Sequence, residues 1–229
     1  MEQNINYNRE QEQLIKQYRD VGIRPKILVH SCCAPCSTYV LEKLVKDADI
    51  IIYFYNPNIH PKEEYERRRR AQAAFIHKFN EQCNTDVQFI PERYMPKEFF
   101  SATKDFAEEK EGTGKRCALC YELRMEETAQ KAYSLSCDFF ASALTLSPKK
   151  NSKKINQIGL ELERIYDVFY LPSDFKKNNG YKRSIELCAE YAVYRQCYCG
   201  CVFAAKEQGI DFKTIIANAK RDAAYTKKE

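Results

Sequence analysis

KILVHSCCAPCS, residues 26–37, sets an apolar run directly before a loop of thiols. Residues 26–31 have the length and apolar character of a buried strand. Residues 32–36 are then the loop that follows, and Ser37 is placed to cap a helix running to about residue 46. Outward from this stretch the same alternation continues. Residues 50–55 (IIIYFY), 87–90, 138–141 (DFFA) and 168–171 read as further strands. Residues 62–83, 119–133, 153–164 and 185–194 carry the spacing of helices. The order predicts an α/β fold: a mostly parallel sheet, Rossmann-like, with helices on both faces. Sites in such sheets form beyond the carboxyl ends of the strands, where the loop of Cys32, Cys33 and Cys36 falls. One domain over residues 1–229 is expected, with two as the alternative. Residues 1–24 read as an N-terminal extension and 213–229 as a charged C-terminal segment. Residues 111–115 (EGTGK) are the loosest stretch and the candidate mobile loop.

The first strand is not followed by G-x-G-x-x-G or by G-x-x-x-x-G-K-S/T, so a nucleotide at that loop is not expected. Thiols stand there instead. Eight of the eleven cysteines lie in three groups: Cys32, Cys33 and Cys36; Cys117 and Cys120; Cys197, Cys199 and Cys201. The polar N-terminus is not a secretory signal, and no apolar run is long enough for a membrane span. Eleven cysteines without an export signal imply reduced thiols and a cytoplasmic protein.

Three chemistries fit these thiols. Structural zinc needs four ligands, which Cys33/Cys36 with Cys117/Cys120 could supply, though adjacent Cys32 and Cys33 are unusual in zinc ribbons. An iron–sulfur cluster also takes four cysteines. A thiol–disulfide centre needs a pair able to cycle, and Cys199-Gly200-Cys201 could close a strained, labile ring.

HSCCAPCS (30–37), YNPNIHPKEEYERR (55–68), RCALCYELRMEETA (116–129), FFASALTLSP (139–148) and YRQCYCGC (194–201) together resemble the QueH family. The resemblance runs from about residue 26 to residue 204. It implies an epoxyqueuosine reductase, independent of cobalamin, acting on the wobble base of tRNA in the last step of queuosine formation. It implies a [4Fe-4S] cluster on Cys32, Cys33, Cys117 and Cys120. It also implies a redox-active pair at Cys199 and Cys201, able to form a disulfide bond, and an additional iron for which Cys36 is the candidate ligand. Two places depart from the family pattern: Cys197 stands where a basic residue is expected, and SALTLSPKKNS differs from the usual TTL-x-SP.

The implied reaction removes an epoxide oxygen as water, with two electrons and two protons. Asp174, Glu190 and the tyrosines near the third thiol group are candidate proton donors. The electron donor is a ferredoxin, a flavodoxin or a thiol system. The net charge of +5 is compatible with a polyanionic partner. Arg67, Arg68, Arg69 and Arg70 are candidate tRNA contacts, together with Lys149, Lys150, Lys153, Lys154, Lys176, Lys177 and Lys182, although four successive residues circle a helix and cannot all face one backbone. Cys83, Cys137 and Cys188 read as core residues. His30 reads as packing or a supporting hydrogen bond, His60 as a site-facing or turn-stabilising residue, and His77 as surface. Two other functions compete: a zinc-stabilised RNA-binding protein and a cluster-dependent tRNA thiolation enzyme, the latter disfavoured by the missing ATP loop.

Overall fold

The computed structural model describes residues 5–112 and 114–225. Thr113, inside the candidate mobile loop, and the outer ends of the two terminal segments lie outside the described residues. Five strands form one parallel sheet: β1 (Lys26–His30), β2 (Asp49–Phe54), β3 (Gln88–Pro91), β4 (Phe139–Ser142) and β5 (Phe169–Tyr170). Their order is β3-β2-β1-β4-β5. The chain builds outward from β1 in one direction and from β4 in the other. The crevice between the carboxyl ends of β1 and β4 is therefore the switch point, the place where such sheets bind ligands. The expected fold class is the observed one.

Alternation along the strands sends side chains to two faces. Ile27, Val29, Ile50, Ile52 and Ala141 pack on one side with α2 (Ala34–Leu44) and α3 (Lys62–Cys83). Leu28, Ile51, Tyr53 and Phe140 pack on the other with α5 (Gly114–Ser134) and α6 (Ser152–Tyr166). The N-terminal extension contains α1 (Tyr7–Asp20), whose Ile15 joins the first face. The remaining helices are α4 (Pro96–Thr103), α7 (Gly180–Glu190), α8 (Val202–Glu207) and α9 (Phe212–Tyr225). Among the described residues, no helix is long and apolar enough to cross a membrane.

Three local expectations are corrected. The helix after β1 starts at Ala34 with Cys33 as its cap residue, because Pro35 is accepted in a first turn. Ser37 is therefore inside α2 and bonds back to the Ala34 carbonyl at 3.0 Å. The helix carrying the second thiol pair begins at Gly114, not residue 119, so Cys117 and Cys120 sit on its opening turns. The helix expected over 185–194 is α7, which ends at Glu190; Ala192 then takes a left-handed conformation, φ 54°, and the third thiol group lies on the loop beyond.

Candidate functional site

The extended backbone at Cys33 (φ −174°, ψ 155°) turns sharply into α2. That geometry folds three sulfurs together at the end of β1. Sγ–Sγ distances are 3.5 Å for Cys32–Cys33, 3.4 Å for Cys33–Cys36 and 3.8 Å for Cys32–Cys36. The three lie within one another's reach as ligands of a single ion. A tetrahedral ion bound at about 2.3 Å spaces its sulfurs by about 3.8 Å, so the trio has the dimensions of a shared metal. Its electrostatics agree. The S–H groups of Cys33 and Cys36 hold the Cys32 thiol well below the usual range. Hydrogen bonding to Cys32 pushes the thiols of Cys33 and Cys36 above it. Three thiolates this close would repel one another, and a bound cation removes that restraint. The loop is braced from behind: Ser31 and Ser37 Oγ both donate to Gln72 Oε1 at 3.0 Å, and Asn56 Nδ2 donates to the Ser31 carbonyl at 2.9 Å. Gln196 Nε2 donates to Cys33 Sγ at 2.8 Å, which ties the third segment to the first.

The second pair arrives on α5. Cys117, Cys120, Tyr121 and Arg124 share a helix face because they are three, four and seven residues apart. Cys117 packs against the apolar cluster that contains Cys32 and Cys33, and Cys120 belongs to the cluster of Cys201 and Cys199; neither joins Cys32, Cys33 and Cys36 within reach of a single ion. Cys117 Sγ accepts the Gly112 amide at 3.3 Å. Burial pushes the Cys120 thiol up. The structure therefore brings all three sequence groups to one place at the switch point.

The third group is held by Arg68. This side chain is 1% exposed and bonds Glu64 Oε1 at 2.7 Å, the Cys199 carbonyl at 2.9 Å and the Tyr198 carbonyl at 3.0 Å. Gly200 passes so close, at φ +108°, that an added Cβ would lie 2.9 Å from Ile59 and 3.0 Å from Arg68 Nη1. The Gly200 carbonyl in turn accepts the His60 amide at 2.8 Å. Burial pushes the Cys199 thiol up, but the Lys150 ammonium, 2.9 Å from its sulfur, outweighs burial and holds it below the usual range. Burial pushes Cys201 up to about 12. All eleven cysteines are free thiols, so the Cys199–Cys201 pair carries no disulfide bond in this structure.

A cavity of about 260 Å³ opens onto the first and third groups, lined by Cys32, Cys36, Lys150 and Cys199, with Tyr181, Arg195 and Cys197 among its outer residues. Three sequence expectations change here. Arg68 is not a tRNA contact: Glu64 and two carbonyls occupy its guanidinium inside the protein. Lys150 turns inward to Cys199 rather than outward to phosphate. Cys83 is exposed, with its sulfur 3.5 Å from the Tyr191 hydroxyl, and is not core. Of the other candidates, Arg67 is paired with Asp222 and Arg69 with Glu66, while Lys149, Lys177 and Lys182 are exposed. Asp174 is paired with Lys176 at 2.8 Å, and Glu190 with Arg183 at 2.7 Å. His60 sits against Tyr94 and Phe100 and anchors its loop, with its carbonyl accepting the Tyr198 hydroxyl.

Sequence reading missed Tyr121 and Arg124. Both are buried, and the Tyr121 hydroxyl and Arg124 Nη2 have no partner. The signal was their spacing from Cys117 and Cys120 on one helix face. An all-sulfur donor set suits zinc or an iron–sulfur group.

Residues 27–207 match the family described as "Epoxyqueuosine reductase QueH". The protein of that name from Staphylococcus aureus is 54% identical over 220 residues, covering 95% of this chain and 91% of its own. The one from Streptococcus pyogenes serotype M1 is 52% identical over 218 residues, covering 95% and 85%. The one from Thermotoga maritima is 36% identical over 182 residues, covering 80% and 91%. Among solved structures, the U34-tRNA thiolase NcsA from Methanococcus maripaludis with its [4Fe-4S] cluster aligns at a TM-score of 0.47 and 15% identity, covering 93% of this chain and 78% of that one.

Proposed function

The chain belongs to the epoxyqueuosine reductase QueH family, and we propose on that footing how its site reduces the epoxide of epoxyqueuosine in tRNA. The observation that carries the reading is the family match across residues 27–207, which spans all three thiol groups that the fold gathers at one crevice. The reading displaces the zinc scaffold and thiolation alternatives. In the finer reading Cys32, Cys33, Cys117 and Cys120 would hold a [4Fe-4S] cluster, for which Cys32 and Cys33, spaced at 3.5 Å as ligands of one ion, would have to part, and Cys36 would be the ligand available to an additional iron. Such a centre supplies electrons singly and a Lewis acid for an epoxide oxygen, without cobalamin.

The chain's own residues then do the following. The cavity admits a single modified ring and not a stacked helix, so the wobble nucleotide must leave its stack to enter. Tyr181 and Arg195, both exposed beside the opening, offer a stacking surface and a cation to an anticodon loop. Behind the cavity lining, the Tyr121 hydroxyl has no acceptor, and burial pushes it up to about 12, so it is protonated and neighbours Lys150 as a reserve donor. The Lys150 ammonium holds the Cys199 thiol below its usual range and so favours its thiolate. Oxidation of the Cys199 thiolate and the Cys201 thiol to a disulfide releases two electrons and one proton, and the Lys150 ammonium beside Cys199 is placed to supply the second proton that conversion of epoxide to alkene and water needs. A ferredoxin, flavodoxin or thiol system restores the pair. A tRNA substrate and reduced thiols both suit the cytoplasm.

The test is anaerobic incubation with tRNA carrying epoxyqueuosine and a reductant, read by nucleoside mass analysis. Queuosine is the expected product, formed without added cobalamin. No conversion by iron-loaded protein contradicts the assignment. In the same assay the Cys199→Ser, Cys201→Ser double variant is expected to lose turnover with a protein donor; normal turnover would remove the dithiol from the mechanism.

A further inference from the structure

Three arginines are almost fully buried, and their charges are met differently. Arg68 has the Glu64 carboxylate at 2.7 Å. Arg116 donates to the carbonyls of Phe106 and Ala107 at 3.2 and 2.7 Å, beside the Phe203 ring. Arg124 is 1% exposed, donates its Nε to the Cys120 carbonyl at 2.9 Å, and leaves Nη2 without a partner. Among the described residues no carboxylate pairs with it. Burial works against its charge, and the sulfurs that outweigh burial are those of Cys120, Cys199 and Cys32, one from each thiol group. A buried cation without a counter-charge is strongly unfavourable. Among the described residues, the groups that favour the Arg124 charge are those sulfurs and the Tyr121 oxygen.

We propose that Arg124 is the counter-ion of the group held by the thiolates: a positioning residue whose charge and free Nη2 stabilise the negative charge gathered at Cys32, Cys120 and Cys199, and so raise the reduction potential of an iron–sulfur centre bound there. The inference rests on the iron–sulfur reading above. Its sign follows from charge. The reduced centre is the more negative one, so a fixed cation and an N–H donated to sulfur favour reduction. The neighbouring Lys150 is already engaged with Cys199 at 2.9 Å and does not replace Arg124.

The test compares the parent chain with Arg124→Gln and Arg124→Lys, purified without oxygen and measured without tRNA. Three quantities are read: fold by circular dichroism, midpoint potential by optical titration, and metal loss to a chelator. Arg124→Gln is expected to fold, to show a more negative midpoint, and to lose metal at least about tenfold faster, the scale of one lost charge-assisted hydrogen bond. Arg124→Lys is expected to stay near the parent in both. Parent-like values in Arg124→Gln, or equal damage in Arg124→Lys, overturn the proposal. If Arg124→Gln does not fold, a folded Arg124→Lys at the parent potential supports the charge role, and loss of fold in both overturns it. Chelator competition reads zinc as well as iron, and no tRNA is present. Failure here therefore leaves the reductase assignment standing, and failure of turnover leaves this test intact.

Discussion

If the thiols hold iron as proposed, a Cys33→Ser chain is expected to fold normally and to lose both iron and reductase turnover, the latter by about 10³-fold or more, equivalent to about 4 kcal/mol of transition-state stabilisation. Cys33 is the best-connected sulfur of the first group. It lies 3.5 Å from Cys32 Sγ and 3.4 Å from Cys36 Sγ, and it accepts the Gln196 amide at 2.8 Å. A serine hydroxyl preserves the small volume and can still accept from Gln196, so packing survives. What it cannot do is remain ionised as a soft ligand. The comparison is Cys83→Ser, which removes an exposed sulfur far along α3 from the first thiol group and is expected to change neither iron nor rate. Iron content, visible absorption and turnover of the two variants, measured side by side, check the prediction. Wild-type iron in Cys33→Ser would remove Cys33 from the ligand set.

The second large effect is on stability. Arg68→Met is expected to cost about 3–5 kcal/mol, the usual cost of stranding one partner of a buried ion pair. Glu64 is 0% exposed; without Arg68 its carboxylate keeps only the Tyr194 hydroxyl, at 3.1 and 3.2 Å, and the distant Arg67 guanidinium at 3.9 Å. The carbonyls of Tyr198 and Cys199 lose their donor at the same time. Adding Glu64→Gln to Arg68→Met should recover part of the loss, because a neutral amide no longer carries a stranded charge. Urea midpoints of metal-free protein measure both. A loss below about 1 kcal/mol in the single variant would mean that the pair is solvated in solution, which its burial contradicts.

The two predictions mark what could and could not be read from the chain. The apolar run of β1 and the thiols after it place the site at a strand's carboxyl end, because a parallel sheet leaves no other end for such loops. The grouping of the cysteines was equally legible, since each group is compact in sequence. The basic residues were not. Arg68 and Lys150 have the same chemistry as their exposed neighbours, and only tertiary burial separates them. A signal for Arg68 did exist: Glu64 stands four residues before it, on the same helix face as Tyr65, Gln72 and Phe75. Lys150 had no such marker, because its position beside Cys199 depends on two loops far apart in sequence. Arg124 was readable as the continuation of the face carrying Cys117, Cys120 and Tyr121. The short helix α4 is not among the elements expected from the sequence; Pro96 stands at its start, where proline is accepted.

The most direct measurement is the metal and sulfide content of protein purified without oxygen, taken together with its visible spectrum before and after reduction. Convergent thiolates holding a redox centre are expected to give a brown protein with iron and acid-labile sulfide, whose visible absorption bleaches on reduction. A colourless protein carrying stoichiometric zinc and no iron would contradict it.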